Sequence, residues 1–153
     1  MTVLVHGTCV LIGPSAVLLR GPSGSGKSDL AFRLIRSEGP SAMLVADDQV
    51  VLEAEEGRLL ASSPPALAGL LEVRGLGLIP LPFAPRAEVV LVIDLVAQGA
   101  VPRLPEPRFV TIESIELPLL DLHAFDLTAM ERVRLAVETI PAKGFPGDDG
   151  RLG

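Results

Sequence analysis

The sequence predicts an α/β fold in which a mixed central sheet is flanked by helices and carries a phosphate-binding loop. Three observations support this prediction. Apolar runs of strand length, rich in β-branched residues, recur along the chain. An amphipathic pattern with apolar residues at helical spacing follows Lys27. A glycine-rich segment lies between this helix and the strand before it, which is where α/β folds bind phosphate groups.

Two strands and a helix are predicted in the first part of the chain. Residues 3–11 form an apolar run that stops at Gly13-Pro14-Ser15, and residues 17–20 resume it, so we expect a strand, a turn and a second strand. The helix should begin at Lys27 and extend for about three turns, because the amphipathic pattern continues until Gly39-Pro40 ends it.

A short buried strand and a hairpin are predicted next. Residues 43–46 are apolar and end on two adjacent carboxylates, Asp47-Asp48. Residues 50–54 and 58–61 flank Glu55-Glu56-Gly57, an arrangement that predicts a hairpin.

The middle of the chain contains a second glycine-containing segment and a central strand. A short helical stretch over residues 66–71 should lead into Glu72-Val73-Arg74-Gly75-Leu76-Gly77, whose two closely spaced glycines predict an unusual backbone. Residues 89–95 are almost entirely apolar, which indicates a strand buried on both faces.

The last part of the chain is predicted to hold a loop, a helix and a tail. Residues 99–107 carry three prolines and should form the loop. Thr128-Ala129-Met130-Glu131 fits a capping box, which predicts a final helix over residues 129–137. We expect one domain over residues 1–140, followed by a mobile tail over residues 141–153.

Composition excludes several classes of function. The chain has 153 residues, of which 48% are hydrophobic, as in a folded domain. The net charge of −6 and the lack of Tyr and Trp argue against nucleic acid or an anionic membrane as a partner. No apolar run is long enough to span a membrane and no signal peptide is evident, so a cytoplasmic location is expected. The single cysteine, Cys9, should lie in the core.

One motif carries a clear chemical meaning. Its pattern, G-x-x-x-x-G-K-[ST], lies between a predicted strand and a predicted helix, as a P-loop requires. The glycines let backbone amides converge on phosphate oxygens, Lys27 would reach the β- and γ-phosphates, and Ser28 would hold Mg²⁺. The predicted nucleotide-binding residues are Gly21, Pro22, Ser23, Gly24, Ser25, Gly26, Lys27 and Ser28.

An acidic partner for the metal is expected at the end of a neighbouring strand. Asp47 and Asp48 are placed there, about twenty residues after the P-loop. Neighbouring side chains on a strand point to opposite faces, so the two carboxylates share a site only where the chain turns. One would orient Mg²⁺ or its waters, and the other would accept a proton; a turn or helix cap is the alternative for this pair.

Four further side chains carry a less specific signal. His6 lies in an apolar strand, where a lone histidine is more often a hydrogen-bonded structural residue, and His123 has the same interpretation. Glu72 and Arg74 are two residues apart, so they would share one face as a metal ligand and a phosphate-binding group, or else form a surface ion pair.

Taken in order, these segments resemble the catalytic domain of HPr kinase/phosphorylase over most of residues 1–110. The residues that carry the resemblance are His6-Gly7, the P-loop, Val45-Ala46-Asp47-Asp48 and Leu71-Glu72-Val73-Arg74-Gly75-Leu76-Gly77. The resemblance implies a P-loop core similar to phosphoenolpyruvate carboxykinase. It also implies a protein kinase that uses ATP and Mg²⁺ to phosphorylate a serine of the phosphocarrier protein HPr, in the family's role within the phosphotransferase system.

The resemblance also implies roles for individual residues. His6 would be an active-site histidine near the phosphates, and one aspartate, preferably Asp48, would take the serine proton. Glu72 would bind Mg²⁺ beside Ser28. Two arginines, Arg74 and Arg103, would belong to the active site, and the family's tendency to form hexamers implies a homo-oligomer.

Two departures from the family pattern affect these expectations. The family usually has an additional N-terminal domain, so the chain is expected to be a naturally short form of the alphaproteobacterial type or an excised domain. The family's arginine-rich loop is replaced by residues 117–125, which contain no arginine. Phosphorylase activity and the usual mode of HPr docking are therefore in question.

A regulatory module that binds nucleotide without transferring phosphate is the alternative function, and a small-molecule kinase is a third.

Overall fold

The computed structural model describes residues 2–37 and 41–146. Within these ranges the chain forms eleven strands and two α-helices, with single 3₁₀ turns at Pro65–Leu67 and Gln98–Ala100. The elements are β1 (Thr2–His6), β2 (Thr8–Ile12), β3 (Ser15–Arg20), α1 (Lys27–Arg36), β4 (Ala42–Ala46), β5 (Gln49–Glu55), β6 (Arg58–Ser62), β7 (Leu70–Val73), β8 (Gly77–Pro80), β9 (Ala87–Leu95), β10 (Phe109–Ile112), β11 (Ile115–Leu122) and α2 (Ala129–Lys143).

Nine strands of the described part of the chain form one mixed sheet. Its order is β1-β5-β6-β9-β3-β2-β4, while β11 pairs with β9 and β10 pairs with β11. Strand β9 is parallel to both β3 and β11, and the other pairs are antiparallel. The strands β7 and β8 form a separate hairpin. The predicted α/β class with a mixed central sheet is confirmed.

The core consists of two clusters on opposite faces of this curled sheet. Both helices pack on one face, where Leu30 and Leu34 of α1 and Val133 of α2 belong to one buried cluster. Helix α1 lies against β2, β4 and β7, and α2 lies against β3, β9 and β11. Apart from Ala84, the other cluster contains only strand residues, so the curled sheet covers its own second face. The alternation along β3, with Leu18 in one cluster and Leu19 in the other, is that of a strand buried on both sides.

The predicted first strand is divided at Gly7. Strand β1 pairs with β5, whereas β2 pairs with β3 and β4, so the two halves of residues 3–11 lie in different parts of the sheet. A Cβ atom on Gly7 would lie 2.9 Å from the Leu19 carbonyl oxygen, which leaves no room for a side chain at this crossing point. The apolar pattern does not reveal the break, because both halves are apolar.

The end of the chain also differs from its prediction. The capping box is wrong, because the Thr128 side chain makes no capping hydrogen bond. Helix α2 continues beyond Val137 and includes Pro141, which lies in its final turn. Phe145 is buried in the helix-covered cluster, so this part of the predicted tail is packed. The remainder of the tail, residues 147–153, lies outside the described residues, as does Gly39-Pro40.

The central elements follow the prediction more closely. The hairpin around Glu55-Glu56-Gly57 is confirmed as β5 and β6, and residues 89–95 lie within β9. The stretch predicted as helical over residues 66–71 is instead a single 3₁₀ turn followed by β7. Among the described residues, no helix has the length and apolar character needed to cross a membrane.

The buried position of Cys9 leads to a simple test of the fold. Burial raises the pKa of the Cys9 thiol to about 12, so at pH 8 the thiol stays in its unreactive protonated form. We expect no reaction of the folded protein with an aromatic disulfide reagent, and one reacting thiol per chain once urea unfolds it. A Cys9→Ala, Leu127→Cys double variant is the exposed control, since Leu127 is 96% exposed. Equal reaction rates for the two folded proteins would contradict the packing of β2.

Candidate active site

Most of the residues singled out in the sequence line one cleft of about 620 Å³, a size typical of ligand sites. The cleft opens where β3 and β4 end. Because both strands are antiparallel to β2, they run in the same direction and their carboxyl ends meet at one edge. The side chains that line the cleft include His6, Lys27, Ser28, Asp47, Asp48, Glu72 and Arg74.

The P-loop joins β3 to α1 as predicted. Ser23, Gly24 and Gly26 line the cleft with Lys27 and Ser28, while Gly21, Pro22 and Ser25 are not among its lining residues. The loop is closed by a hydrogen bond from the Ser25 amide to the Pro22 carbonyl, with N and O 3.0 Å apart. The first amides of α1 lack intrahelical partners, so this end of the helix can donate hydrogen bonds to an anion.

Lys27 is held at the base of the loop. Its Nζ donates to the carbonyl oxygens of Gly21 at 2.7 Å and Pro22 at 3.1 Å. Burial lowers the pKa of Lys27, and the nearby carboxylates of Asp47 and Asp48 oppose this shift. The Lys27 ammonium group is thus partly desolvated, while the neighbouring carboxylates favour its charged form. The charged form is the one that binds phosphate.

Asp47 is the most constrained side chain of the cleft. It is buried, and its carboxylate accepts hydrogen bonds from the Ser28 hydroxyl, at 2.8 Å to Oδ1 and 3.0 Å to Oδ2. The Thr8 hydroxyl donates to Oδ1 at 2.8 Å, and the Glu72 amide donates to Oδ2 at 3.1 Å. Asp47 therefore connects α1, β2 and β7.

Thr8 was not identified from the sequence. It is fully buried in β2, and its hydroxyl reaches Asp47 because β2 pairs with β4 in an antiparallel register. The only signal in the sequence is a polar residue directly after His6-Gly7 in an otherwise apolar run. That signal becomes meaningful only when the pairing of β2 with β4 is known.

Asp48 differs from Asp47 in backbone conformation and in exposure. Its backbone has φ of 70°, in the left-handed region, and the Gln49 amide bonds to the Asp47 carbonyl at 2.8 Å. The chain therefore turns here, and both carboxylates face the same cleft. The Asp48 side chain is 68% exposed, and its Oδ1 lies 3.6 Å from His6 Nε2.

Glu72 and Arg74 lie on the hairpin that borders the cleft. Both are exposed, and both belong to the cleft lining although β7 ends between them at Val73. The turn that follows uses Gly75 and Gly77 at φ of 90° and 107°, which confirms the unusual backbone predicted for this segment.

Two other residues considered in the sequence, the predicted site residue Arg103 and the predicted structural residue His123, do not belong to the cleft lining. Arg103 is exposed on the loop after Gln98–Ala100 and is absent from the residues that line the cleft. His123 has a structural contact, since its Nδ1 lies 2.9 Å from the Val96 carbonyl oxygen. The proline-rich surroundings of Arg103 gave no pattern from which its position could be derived.

The oxygen donors of the cleft fit Mg²⁺. Residues 2–37 and 41–146 contain no group of three or more His, Cys, Asp or Glu side chains arranged to enclose a metal ion. The Ser28 hydroxyl and the Asp47 carboxylate are in direct contact, and Glu72 is anchored to Asp47 through its amide. Mg²⁺ is characteristically bound by one or two carboxylates together with substrate phosphates, which is the donor set offered here.

Comparison with known proteins identifies the family to which the chain belongs. Residues 1–97 match the family described as the HPr serine kinase C-terminal domain. The chain belongs to this family. The resemblance inferred from the P-loop, the aspartate pair and the Glu72–Gly77 segment is thereby confirmed.

Relatives and a solved structure agree with this membership. The chain is 34% identical over 137 residues to the HPr kinase/phosphorylase of Geobacillus thermodenitrificans, covering 83% of this chain and 42% of that protein. It is 45% identical over 78 residues to the enzyme of the same name from Clostridium tetani, covering 51% of this chain and 25% of that protein. The structure of the HPr(Ser) kinase/phosphatase from Coxiella burnetii matches 89% of this chain and 99% of that chain, with a TM-score of 0.74 and 28% identity. The matching part thus spans less than half the length of these two curated relatives.

The hydrogen bonds of Asp47 predict its contribution to stability. Asp47→Asn would turn an amide nitrogen toward donors that now bond to a carboxylate oxygen. A buried donor left without a partner costs about 1–3 kcal/mol, so we expect the free energy of unfolding to fall by about that amount. Urea unfolding followed by far-UV circular dichroism measures the change.

Asp48→Asn is the matched control, because Asp48 is exposed and its side chain accepts none of these hydrogen bonds. We expect it to unfold at nearly the same urea concentration as the wild type. Indistinguishable unfolding free energies for the two variants would show that Asp47 does not hold α1, β2 and β7 together.

Proposed function

We propose that the protein is an ATP- and Mg²⁺-dependent protein-serine kinase that acts on an HPr-like phosphocarrier protein. One observation carries the proposal. The P-loop serine, Ser28, is hydrogen-bonded to the buried Asp47, directly beside an exposed second carboxylate, Asp48, that faces His6. This arrangement provides separate groups for holding a metal and for moving a proton.

Nucleotide binding would rest on the P-loop. The backbone amides at the start of α1 and the Lys27 ammonium would hold the β- and γ-phosphates. Ser28, Asp47 and Glu72 would hold Mg²⁺, which when bound neutralises negative charge on the phosphates. Arg74, exposed at the same cleft, would stabilise the charge of the transferred phosphoryl group.

Asp48 is the group best suited to accept the substrate proton. Its carboxylate is exposed in the cleft, whereas that of Asp47 is occupied by three hydrogen-bonding groups. In the proposed step the serine oxygen forms a bond to the γ-phosphorus as the bond to the β–γ bridging oxygen breaks. The electron pair of that bond leaves with ADP, and the serine proton passes to Asp48. His6, 3.6 Å away, would orient the carboxylate.

The partner follows from the family and from the charge of the chain. The relatives from Geobacillus thermodenitrificans and Clostridium tetani are named HPr kinase/phosphorylase, and HPr is accordingly the proposed substrate. A net charge of −6 disfavours nucleic acid as an alternative polymer. A cytoplasmic homo-oligomer is part of the same proposal.

One feature of the chain favours a second candidate, a nucleotide-binding regulatory module without phosphoryl transfer. Residues 117–125 form most of β11 and the turn after it, and they contain no arginine at the place that corresponds to the family's arginine-rich loop. A chain without that loop would bind nucleotide through the same P-loop while contacting a signalling partner. The two candidates differ in whether a bound nucleotide transfers its phosphate.

The test is transfer of labelled phosphate from ATP to a purified bacterial HPr in the presence of Mg²⁺. The wild type should label a serine of HPr, and Lys27→Ala should lose both nucleotide binding and labelling. Asp48→Asn should lower kcat by about 10²–10⁴-fold, the usual contribution of a general base, while the Kd for ATP changes little.

Glu56→Gln is the control, because Glu56 is an exposed carboxylate in the β5–β6 turn and does not line the cleft. It should label HPr at the parental rate. Parental kinetics for Asp48→Asn would exclude the role assigned to Asp48. Tight ATP binding by the wild type without any labelling would instead favour the regulatory module.

A further inference from the structure

An aromatic ring lies beside the P-loop and has no part in the proposed reaction. Phe125 follows β11, lines the cleft and is 57% exposed. It is close to the loop backbone, because a Cβ atom on Gly26 would lie only 2.9 Å from Phe125 Cζ. Phe125 therefore offers an accessible aromatic surface directly beside the loop, where a ligand bound in the cleft can contact it.

The segment that carries Phe125 is held firmly in place. Arg33 of α1 donates a hydrogen bond to the Ala124 carbonyl, and the Asp126 carboxylate accepts hydrogen bonds from Gln98 at 2.7 Å and Arg132 at 3.1 Å. His123 contacts the edge of the Phe125 ring, with ring centroids 5.8 Å apart and planes at 74°. These contacts hold the turn that carries Phe125, although more than half of the surface of Phe125 is accessible.

The sheet places Phe125 opposite the acidic groups. Strand β3, which leads into the P-loop, lies between β9 with β11 on one side and β2 with β4 on the other. Asp47 and Asp48 follow β4, and Phe125 follows β11. A nucleoside triphosphate bound along the loop with its γ-phosphate near Asp48 would extend its other end toward Phe125.

We propose that Phe125 is the stacking surface for the base of the bound nucleotide. This inference rests on the proposed nucleotide binding and adds the subsite that the P-loop does not provide. Stacking on an aromatic ring is tolerant of base identity, because every base has a π-face. A single phenylalanine therefore provides affinity with little discrimination between ATP and GTP.

The first test compares ligands with and without a base by calorimetry in the presence of Mg²⁺. Wild-type protein should bind ATP and GTP more tightly than inorganic tripolyphosphate. Phe125→Ala should weaken the binding of ATP and GTP by roughly 5- to 150-fold, the range expected for loss of one stacked base. The affinity of this variant for tripolyphosphate should be unchanged. Phe125→Tyr should retain wild-type affinity. Leu127→Ala is the control, since Leu127 is exposed two residues away and does not line the cleft.

The second test uses the absence of tryptophan and tyrosine from the chain. Phe125→Trp places the only indole at the proposed stacking position, and its fluorescence should be quenched by ATP and not by tripolyphosphate. Leu127→Trp should respond to neither ligand. Both variants should keep the far-UV circular dichroism of the wild type.

The outcomes separate this inference from the proposed function. Unchanged ATP affinity in Phe125→Ala, with ATP still bound by the wild type, would overturn the stacking role and leave the kinase proposal intact. If Phe125→Ala weakens the binding of ATP and tripolyphosphate equally, the stacking role is also overturned, because Phe125 would then support the loop rather than contact the base. If the wild type binds neither ligand, both proposals fail.

Discussion

The buried carboxylate of Asp47 is the constraint on which the rest of the cleft depends. Moving a carboxylate out of water is costly unless its oxygens are hydrogen-bonded. Here the donors come from three separate elements, through Ser28 of α1, Thr8 of β2 and the amide of Glu72 in β7. Satisfying this charge therefore fixes the start of the P-loop helix, the strand beneath it and the hairpin beside it at one point.

The turn at Asp48 allows two adjacent carboxylates to have different environments in one site. On a regular strand, consecutive side chains point to opposite faces. The positive φ of Asp48 breaks this alternation, so that both side chains face the cleft. Aspartate tolerates this conformation better than most residues with a side chain. One carboxylate is then buried and fully bonded, while the other is exposed opposite His6.

Features determined by neighbouring residues could be predicted from the sequence. The glycine-rich loop between β3 and α1, helix α1 itself and the β5–β6 hairpin each depend on a short pattern, and the structure has all three elements. The break at Gly7, the contact of Thr8 with Asp47 and the position of Phe125 depend on which strands pair. The position of Arg103 could not be predicted either, because its loop lacks a local pattern that would fix its position. Strand pairing joins residues far apart in the chain, so periodicity alone does not contain it.

The charges around the cleft impose a last condition on any triphosphate that binds there. The lining includes two basic side chains, Lys27 and Arg74, and four carboxylates, those of Asp29, Asp47, Asp48 and Glu72. This balance is unfavourable for a polyanion, because the carboxylates of the lining outnumber its basic side chains. Backbone amides of the P-loop and a divalent cation held by the carboxylates would have to offset the repulsion. The same carboxylates would repel free ATP and favour its Mg²⁺ complex, so under the proposed function the metal is a condition for binding as well as for phosphoryl transfer.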